Sequence, residues 1–130
     1  MIVDSSAVLA ILFNEPESTR FAQMIAAADR CRISAANLTE AAIVVDLQTD
    51  ATGGRQFDSF LRRSGIVVEP VTEEQAYLAR QAYFDYGKGR HPAGLNFGDC
   101  FAYALAKAMG EPLLFKGADF SKTDIEPAAP

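Results

Sequence analysis

Four carboxylates in this sequence are placed where they could hold metal ions. Asp4 directly follows a short apolar run, and Glu40 and Asp99 come where helices are predicted to begin. Asp119 follows a late apolar run. Hard divalent cations prefer such an all-oxygen donor set, and ions held by it can activate water and stabilise the charge of a phosphodiester under in-line attack. The pattern therefore indicates metal-assisted hydrolysis, provided that the four acids converge.

Each acid also has a purely structural explanation. Glu40 stands three residues after Asn37, which is the spacing of a helix capping box. Asp99 in a first turn matches the helix dipole, and Asp4 and Asp119 both suit turns. What favours a site is that one fold would bring all four acids to the same place.

The elements that must position these acids alternate between strands and helices. Strands are predicted at 1–3, 32–34, 65–70 and 112–115, with one more possible at 123–125; helices are predicted from Ser5 or Ser6, over 17–28, from Asn37, over 55–64 after Gly53 and Gly54, from Thr72, and over 95–107. This alternation is typical of an α/β fold with a mostly parallel sheet. Ligand sites of such sheets lie outside the carboxyl ends of the strands, where all four acids are expected.

The last long helix is the clearest single element. Phe97, Phe101 and Leu105 recur at helical spacing and predict a buried face, and Gly110 ends the helix. Asp99 falls in the first turn, where free N–H groups and the positive end of the macrodipole favour an ionised carboxylate.

Composition sets the class of protein. With 130 residues, 49% of them hydrophobic, the chain is expected to form one domain over 1–125, followed by a disordered tail at 126–130. No apolar run is long enough for a membrane span and no secretory signal is visible, so a cytoplasmic location is expected.

The net charge of −5 argues against non-specific nucleic-acid binding, but a multi-carboxylate site would also produce it. Cys31 and Cys100 are expected to be buried thiols.

Several stretches together resemble a PIN-domain protein of the VapC toxin type. They are Ile2-Val3-Asp4-Ser5-Ser6-Ala7, the start of the Glu40 helix, Asn96-Phe97-Gly98-Asp99-Cys100-Phe101-Ala102-Tyr103-Ala104-Leu105-Ala106, and Leu113-Leu114-Phe115-Lys116-Gly117-Ala118-Asp119-Phe120. The resemblance covers essentially the whole chain. The third and fourth stretches taken together are highly specific, whereas the first alone would be weak.

The resemblance implies a three-layer PIN-like fold and a Mg²⁺- or Mn²⁺-dependent endoribonuclease that cleaves structured RNA such as tRNA or rRNA. It also implies a homodimer that a small VapB-like antitoxin holds inactive. By position, Asp4, Glu40 and Asp99 would be the core metal ligands, Asp119 a fourth and more variable acid, and Ser6 a supporting hydroxyl. Ala118 departs from relatives that carry a second acid or polar residue there, which puts a second metal site in doubt.

Basic residues near the predicted site are candidates for RNA contacts. Lys88, Arg90 and His91 lie in a loop rich in glycine and proline before Asp99, and Lys116 follows the last apolar run. They could bind phosphate or could simply be solvated loop charges. His91 is disfavoured as a catalytic base, because metal-bound water needs no imidazole.

Two other enzyme classes fit the sequence poorly, and one non-enzymatic function stays open. An aspartyl-phosphate phosphatase needs a second Asp two residues after the first, where Ser6 stands. A receiver domain would place a Lys after a late strand, as Lys116 is, but no phosphorylatable Asp ends a central strand. A degenerate PIN domain that only binds protein or RNA remains the non-enzymatic alternative.

Overall fold

The computed structural model describes residues 1–128, which form a parallel four-stranded sheet covered by helices. The strands are β1 (Ile2–Val3), β2 (Arg32–Ser34), β3 (Val67–Glu69) and β4 (Leu113–Leu114). The helices are α1 (Ser5–Leu12), α2 (Ser18–Ala27), α3 (Ala35–Gln48), α4 (Ala51–Ser64), α5 (Glu73–Tyr86) and α6 (Phe97–Met109), followed by a 3₁₀ turn at Phe120–Lys122. The predicted α/β class with a parallel sheet is confirmed.

The sheet has the order β3-β2-β1-β4, so the first strand lies in its interior. Ile2 is in register with Arg32 of β2 on one side and with Leu113 of β4 on the other. All pairings between these strands are parallel. Their carboxyl ends therefore meet at one edge, and Asp4 directly follows β1, one of the two interior strands.

The alternation of side chains along β1 and β4 divides the core into two halves. Ile2 and Leu113 join the apolar cluster formed with α5 and α6, whereas Val3 and Leu114 join the cluster formed with α1 to α4. Successive residues of a strand point to opposite faces, so a strand of two residues serves both clusters. The result is the predicted three-layer arrangement.

Three predicted helix starts were wrong because a different residue caps each helix. Asp4, not Ser5 or Ser6, caps α1, and its carboxylate accepts from the backbone N–H of Ser6. Ser34 caps α3 in the same way, which places Asn37 inside the helix rather than at its start. Asp50 caps α4, so that helix runs through Gly53 and Gly54 instead of beginning after them.

Two helix ends and the two thiols agree with prediction, whereas the exposure of Phe97 does not. Thr72 caps α5 and Gly110 ends α6 in the left-handed conformation, both as predicted. Cys31 and Cys100 are free and buried, also as predicted. Phe97 is 78% exposed instead of buried.

The C-terminal segment is held against the sheet as far as it is described. The backbone N–H of Leu113 donates to the carbonyl of Glu126, and Ala128 donates to the carbonyl of Leu113. Residues 126–128, predicted to be disordered, are therefore bonded to β4, and the possible strand at 123–125 is replaced by this pairing. The last two positions of the predicted tail lie outside the described residues.

No helix within residues 1–128 combines the length and hydropathy that crossing a membrane requires.

Candidate active site

Asp4 is a buried carboxylate with one unused oxygen. Its Oδ2 accepts from the backbone N–H of Ser6 at 3.0 Å, but Oδ1 has no partner within the described structure. The side chain is 3% exposed. Burial raises the pKa of Asp4 to about 7; the bonds to Ser6 lower it, and the charges of Asp99 and Glu40 raise it further. A buried acid with an open oxygen and acidic neighbours is poised for a cation.

Asp99 lies in the first turn of α6, as predicted, and forms a reciprocal cap there. The side chain of Asn96 accepts from the N–H of Asp99 at 2.8 Å, and the carboxylate of Asp99 accepts from the N–H of Asn96 at 3.0 Å. Burial raises the pKa of Asp99 to about 6 despite this hydrogen bond, with smaller contributions from Asp119 and Glu40. A carboxyl with this pKa is still mostly ionised at neutral pH, as the position of Asp99 in the first turn predicts.

Glu40 reaches the site from the second turn of α3, not from the first turn as predicted. Ser34 is the cap, so Glu40 and Asn37 do not form the suggested capping box. Instead, the Ser5 hydroxyl donates to Glu40 Oε1 at 2.5 Å, and Asn37 Nδ2 lies 3.5 Å from the same oxygen. The carboxylate also lies against Gly98 of α6. Glu40 thus occupies the space between α1, α3 and α6.

Asp119 is the most open of the four acids. It is exposed at the start of the 3₁₀ turn, and its side chain caps no helix. Its charge nevertheless acts on Asp99. The fold therefore gathers all four predicted acids in one electrostatic neighbourhood at the carboxyl edge of the sheet.

The donor set fits a hard divalent cation. The four side chains supply only carboxylate oxygens, and Asp4 keeps a buried oxygen without a partner. In residues 1–128 no three His, Cys, Asp or Glu side chains are already close enough to hold an ion together. Glu40 and Asp99 are instead held by hydrogen bonds to Ser5 and to the Asn96 backbone, respectively.

Ser6 and Lys116 link the first turn of α1 to the segment after β4. The Ser6 hydroxyl accepts from the backbone N–H of Lys116 at 3.0 Å. The Lys116 ammonium lies 3.0 Å from Glu15 and 3.5 Å from Glu17, and the hydrogen bond to Glu15 is the main cause that raises its pKa. The ammonium is therefore engaged by two acids, which weakens its candidacy as a phosphate contact.

The loop before α6 contains the other basic candidates. Lys88 and Arg90 are exposed, and the Arg90 guanidinium lies 4.8 Å from the centre of the Phe84 ring while its Nε donates to the Phe84 carbonyl. Nδ1 of His91 accepts from the backbone N–H of Ala93 at 3.0 Å. His91 therefore stabilises the loop, whereas Lys88 and Arg90 remain accessible.

Sequence reasoning missed three residues that contact Glu40: Ser5, Asn37 and Gly98. The sequence presents Asn37 and Ser5 only as candidate helix caps, and it assigns no contact to Gly98. A glycine directly before a carboxylate in a first turn can indicate close approach of another group, and this was the available signal.

The family model described as "PIN domain" matches residues 1–126. This chain belongs to the PIN domain family, among the VapC ribonucleases.

Curated relatives of this PIN chain match almost their full length. Ribonuclease VapC28 of Mycobacterium tuberculosis is 52% identical over 129 residues, which cover 98% of this chain and 97% of the relative. Ribonuclease VapC30 of the same species is 46% identical, with 99% and 98% covered. Ribonuclease VapC of Mycolicibacterium smegmatis is 46% identical over 125 residues, with 96% and 97% covered.

Solved structures share the PIN fold at low sequence identity. Mycobacterium tuberculosis VapC20, described as a Sarcin-Ricin loop cleaving toxin, superposes with a TM-score of 0.77 at 16% identity, covering 99% of this chain and 98% of that chain. A toxin-antitoxin complex from Klebsiella pneumoniae gives a TM-score of 0.71 at 13% identity, with 95% and 92% covered. These two matches independently support the fold.

Proposed function

We propose that this PIN protein is a metal-dependent endoribonuclease toxin that hydrolyses phosphodiester bonds of structured RNA, with tRNA or rRNA as the expected substrates. The observation that carries the proposal is the buried Asp4 carboxylate, whose Oδ1 has no partner and whose neighbours are other acids. Such an arrangement costs stability unless a cation occupies it. The ribonuclease names of the curated relatives supply the substrate class.

Asp4, Glu40 and Asp99 are the proposed ligands of Mg²⁺, with Mn²⁺ as a substitute, and Asp119 is the fourth and more exposed acid. The bound cation supplies an activated water and stabilises charge on the phosphate. The chain's own contribution is orientation. Ser6 fixes one oxygen of Asp4, Asn96 fixes Asp99, and Ser5 fixes Glu40.

RNA binding needs positive charge near the site, from the metal ion and from basic side chains, because the chain carries a net charge of −5. Lys88 and Arg90 are exposed in the loop before Asp99 and are the proposed phosphate contacts. Lys116 and His91 are secondary candidates, because the Lys116 ammonium is engaged by two acids and His91 is less exposed than Lys88 and Arg90.

A VapB-like antitoxin is the proposed inhibitory partner in the cytoplasm. A solved structure that shares this fold is a toxin-antitoxin complex, which supports a partner of this kind. Binding of a small protein over the acid edge, the edge of the sheet that carries Asp4, Glu40, Asp99 and Asp119, would exclude RNA. The expected result is that co-expressed antitoxin co-purifies with the chain and blocks cleavage.

A homodimer is proposed through the outer face of α5. Tyr77 and Phe84 are both more than half exposed and flank Arg80 and Gln81 on one side of this helix. The four positions are symmetric about the midpoint between Arg80 and Gln81, so an antiparallel copy would bring Tyr77 of one protomer against Phe84 of the other. Phe84→Glu is expected to convert a dimer into a monomer in light scattering; an unchanged mass would reject this face.

Cleavage of total cellular RNA by antitoxin-free protein tests the proposed activity. The wild type is compared in Mg²⁺, in Mn²⁺ and in chelator, and Asp99→Asn serves as the matched variant because it keeps side-chain size and removes charge. Discrete fragments that require metal and Asp99 are expected. Full activity of folded Asp99→Asn would overturn the assignment of Asp99.

The degenerate PIN domain predicts a different result in the same samples. A module that only binds protein or RNA should give no cleavage in any metal, and its melting temperature should not respond to Mn²⁺. A metal-binding nuclease should gain thermal stability by mass action. The four acids present in the chain favour the nuclease.

A further inference from the structure

The Glu40 carboxylate is enclosed by residues from three helices. Ser5 at the start of α1 donates to Oε1, and Asn37, one turn before Glu40 in α3, approaches the same oxygen. The third wall is the backbone of α6 at Gly98. Glu40 is therefore held against the same helical turn that carries Asp99.

Gly98 is needed for this contact because it has no side chain. A Cβ built on Gly98 would lie 2.1 Å from Glu40 Oε2, 2.6 Å from Cδ and 2.7 Å from Oε1. All three carboxyl atoms would clash at once, so a small rotation of the carboxylate would not relieve the contact. Glu40 would have to move away.

The backbone of Gly98 does not itself require glycine. Gly98 lies inside α6 and is absent from the set of residues with positive φ. Alanine is the more favourable residue in a helix, because glycine loses more backbone entropy. Glycine at this position therefore lowers the stability of the helix, and the contact with Glu40 compensates for that loss.

Asn37 fixes the two helices at this point. Its side chain is fully buried, and Nδ2 donates to the carbonyl of Gly98 at 2.9 Å. This bond holds α3 against the first turn of α6. A shift of Gly98 would therefore change the distance between Glu40 and Asp99, which is the next residue.

We propose that Gly98 is a positioning residue for the hydrolysis, because its missing side chain lets the Glu40 carboxylate lie beside Asp99. The inference rests on the proposed function. It adds a residue that touches neither substrate nor ion and acts only through Glu40.

Gly98→Ala tests this role, with Gly54→Ala as the matched control. Gly54 also lies inside a helix, and a Cβ there would meet only Asp46 Oδ1, at 3.5 Å, an ordinary contact. Both variants should fold, as measured by circular dichroism. Gly98→Ala is expected to lower kcat for RNA cleavage by about 100-fold with little change in KM, and to lose most of the Mn²⁺-induced rise in Tm. Gly54→Ala should match wild type in both readouts.

A shorter acid provides the rescue experiment. Glu40→Asp in the Gly98→Ala background withdraws the carboxylate by one methylene and makes room for the new methyl group. The double variant should regain part of the Mn²⁺ response that Gly98→Ala loses, although Glu40→Asp alone weakens it. This non-additivity is not expected from a merely structural glycine.

The outcomes separate the inference from the proposed function. If wild type cleaves RNA and folded Gly98→Ala retains its kcat and Mn²⁺ response, the inference is overturned. If wild type does not cleave RNA, the proposed function fails, and the Mn²⁺-dependent Tm still tests the Gly98 contact. If Gly98→Ala does not fold, restoration of folding by Glu40→Asp supports the contact, and failure to restore it rejects the contact.

Discussion

Two charged regions of this protein treat their carboxylates in opposite ways. Near the start of β1, Glu111 binds the Met1 ammonium at 2.5 Å and the Arg32 guanidinium, and Arg32 also binds Glu69 at 3.2 Å. At the other edge, Asp4, Glu40 and Asp99 lie near one another, and within residues 1–128 none has a cationic side chain in ion-pair contact. In the first region each carboxylate has a cationic partner within the protein. In the second, the negative charge is balanced only when a cation binds from solution.

This difference separates a structural charge cluster from a functional one. Buried carboxylates that repel one another lower the free energy of unfolding, so a fold keeps them only where another benefit compensates. Each acid of the Glu111 cluster has a cationic partner, and its loss should affect stability. Among the residues that the structure describes, each acid near Asp4 lacks one, and its loss should affect activity.

Asp4→Asn should separate activity from stability most strongly. Asparagine remains a good helix cap, so α1 should persist. Cleavage is expected to fall by at least about 100-fold, more than for groups that only support a ligand. The metal-free variant should nevertheless melt at a higher temperature than wild type at pH 7.5, because a buried charge is removed.

The sign of the pH effect follows from the raised pKa of Asp4. The native carboxyl, with a pKa of about 7, binds its proton more tightly than the unfolded one, at 3.8. This contribution to the metal-free free energy of unfolding is present below about pH 4 and is lost as pH rises through 7. The melting curves of wild type and Asp4→Asn should therefore converge towards pH 5. A constant difference in Tm would contradict the assignment.

Glu111→Gln should produce the opposite pattern. The variant leaves Met1 and Arg32 without their shared anion, which should lower the free energy of unfolding by about 1 to 2 kcal/mol. RNA cleavage by the folded fraction should equal that of wild type. Chemical denaturation measures the first quantity, and a loss of kcat at low temperature would break the distinction between the two regions.

Mn²⁺ should stabilise the protein more as pH rises. Protons compete with the cation for Asp4 and Asp99, whose pKa values are raised to about 7 and about 6. The Mn²⁺-induced increase in Tm should therefore grow between pH 5.5 and pH 7.5. Asp99→Asn should show little increase at any pH, and an equal response in the two proteins would exclude the acid edge as the binding site.

Arg90→Ala should have the smallest effect. If the exposed guanidinium contacts one RNA phosphate, binding should weaken and the slope of log K against log salt should decrease by about 0.7 to 0.9. Fluorescence anisotropy at several salt concentrations measures this slope. An unchanged slope would identify Arg90 as a solvated charge that only packs on Phe84.

The sequence predicted the fold class and the position of Asp99 because both depend on local signals. The Asn96–Asp99 cap and the apolar start before Asp4 can be read from adjacent residues. The sequence did not predict that Ser34 and Asp50 begin their helices, because several polar residues compete to cap a helix and packing decides among them. The Glu40 contacts with Ser5 and Gly98 join distant segments, and no local pattern specifies them.

The interior position of β1 also has a consequence for protein synthesis. Ile2 is made long before its partner Leu113, which follows it by more than a hundred residues. Asp99 is likewise made 95 residues after Asp4. The acid edge therefore cannot assemble until Asp99 and β4 have both been synthesised, and a nascent chain shorter than this lacks the complete site.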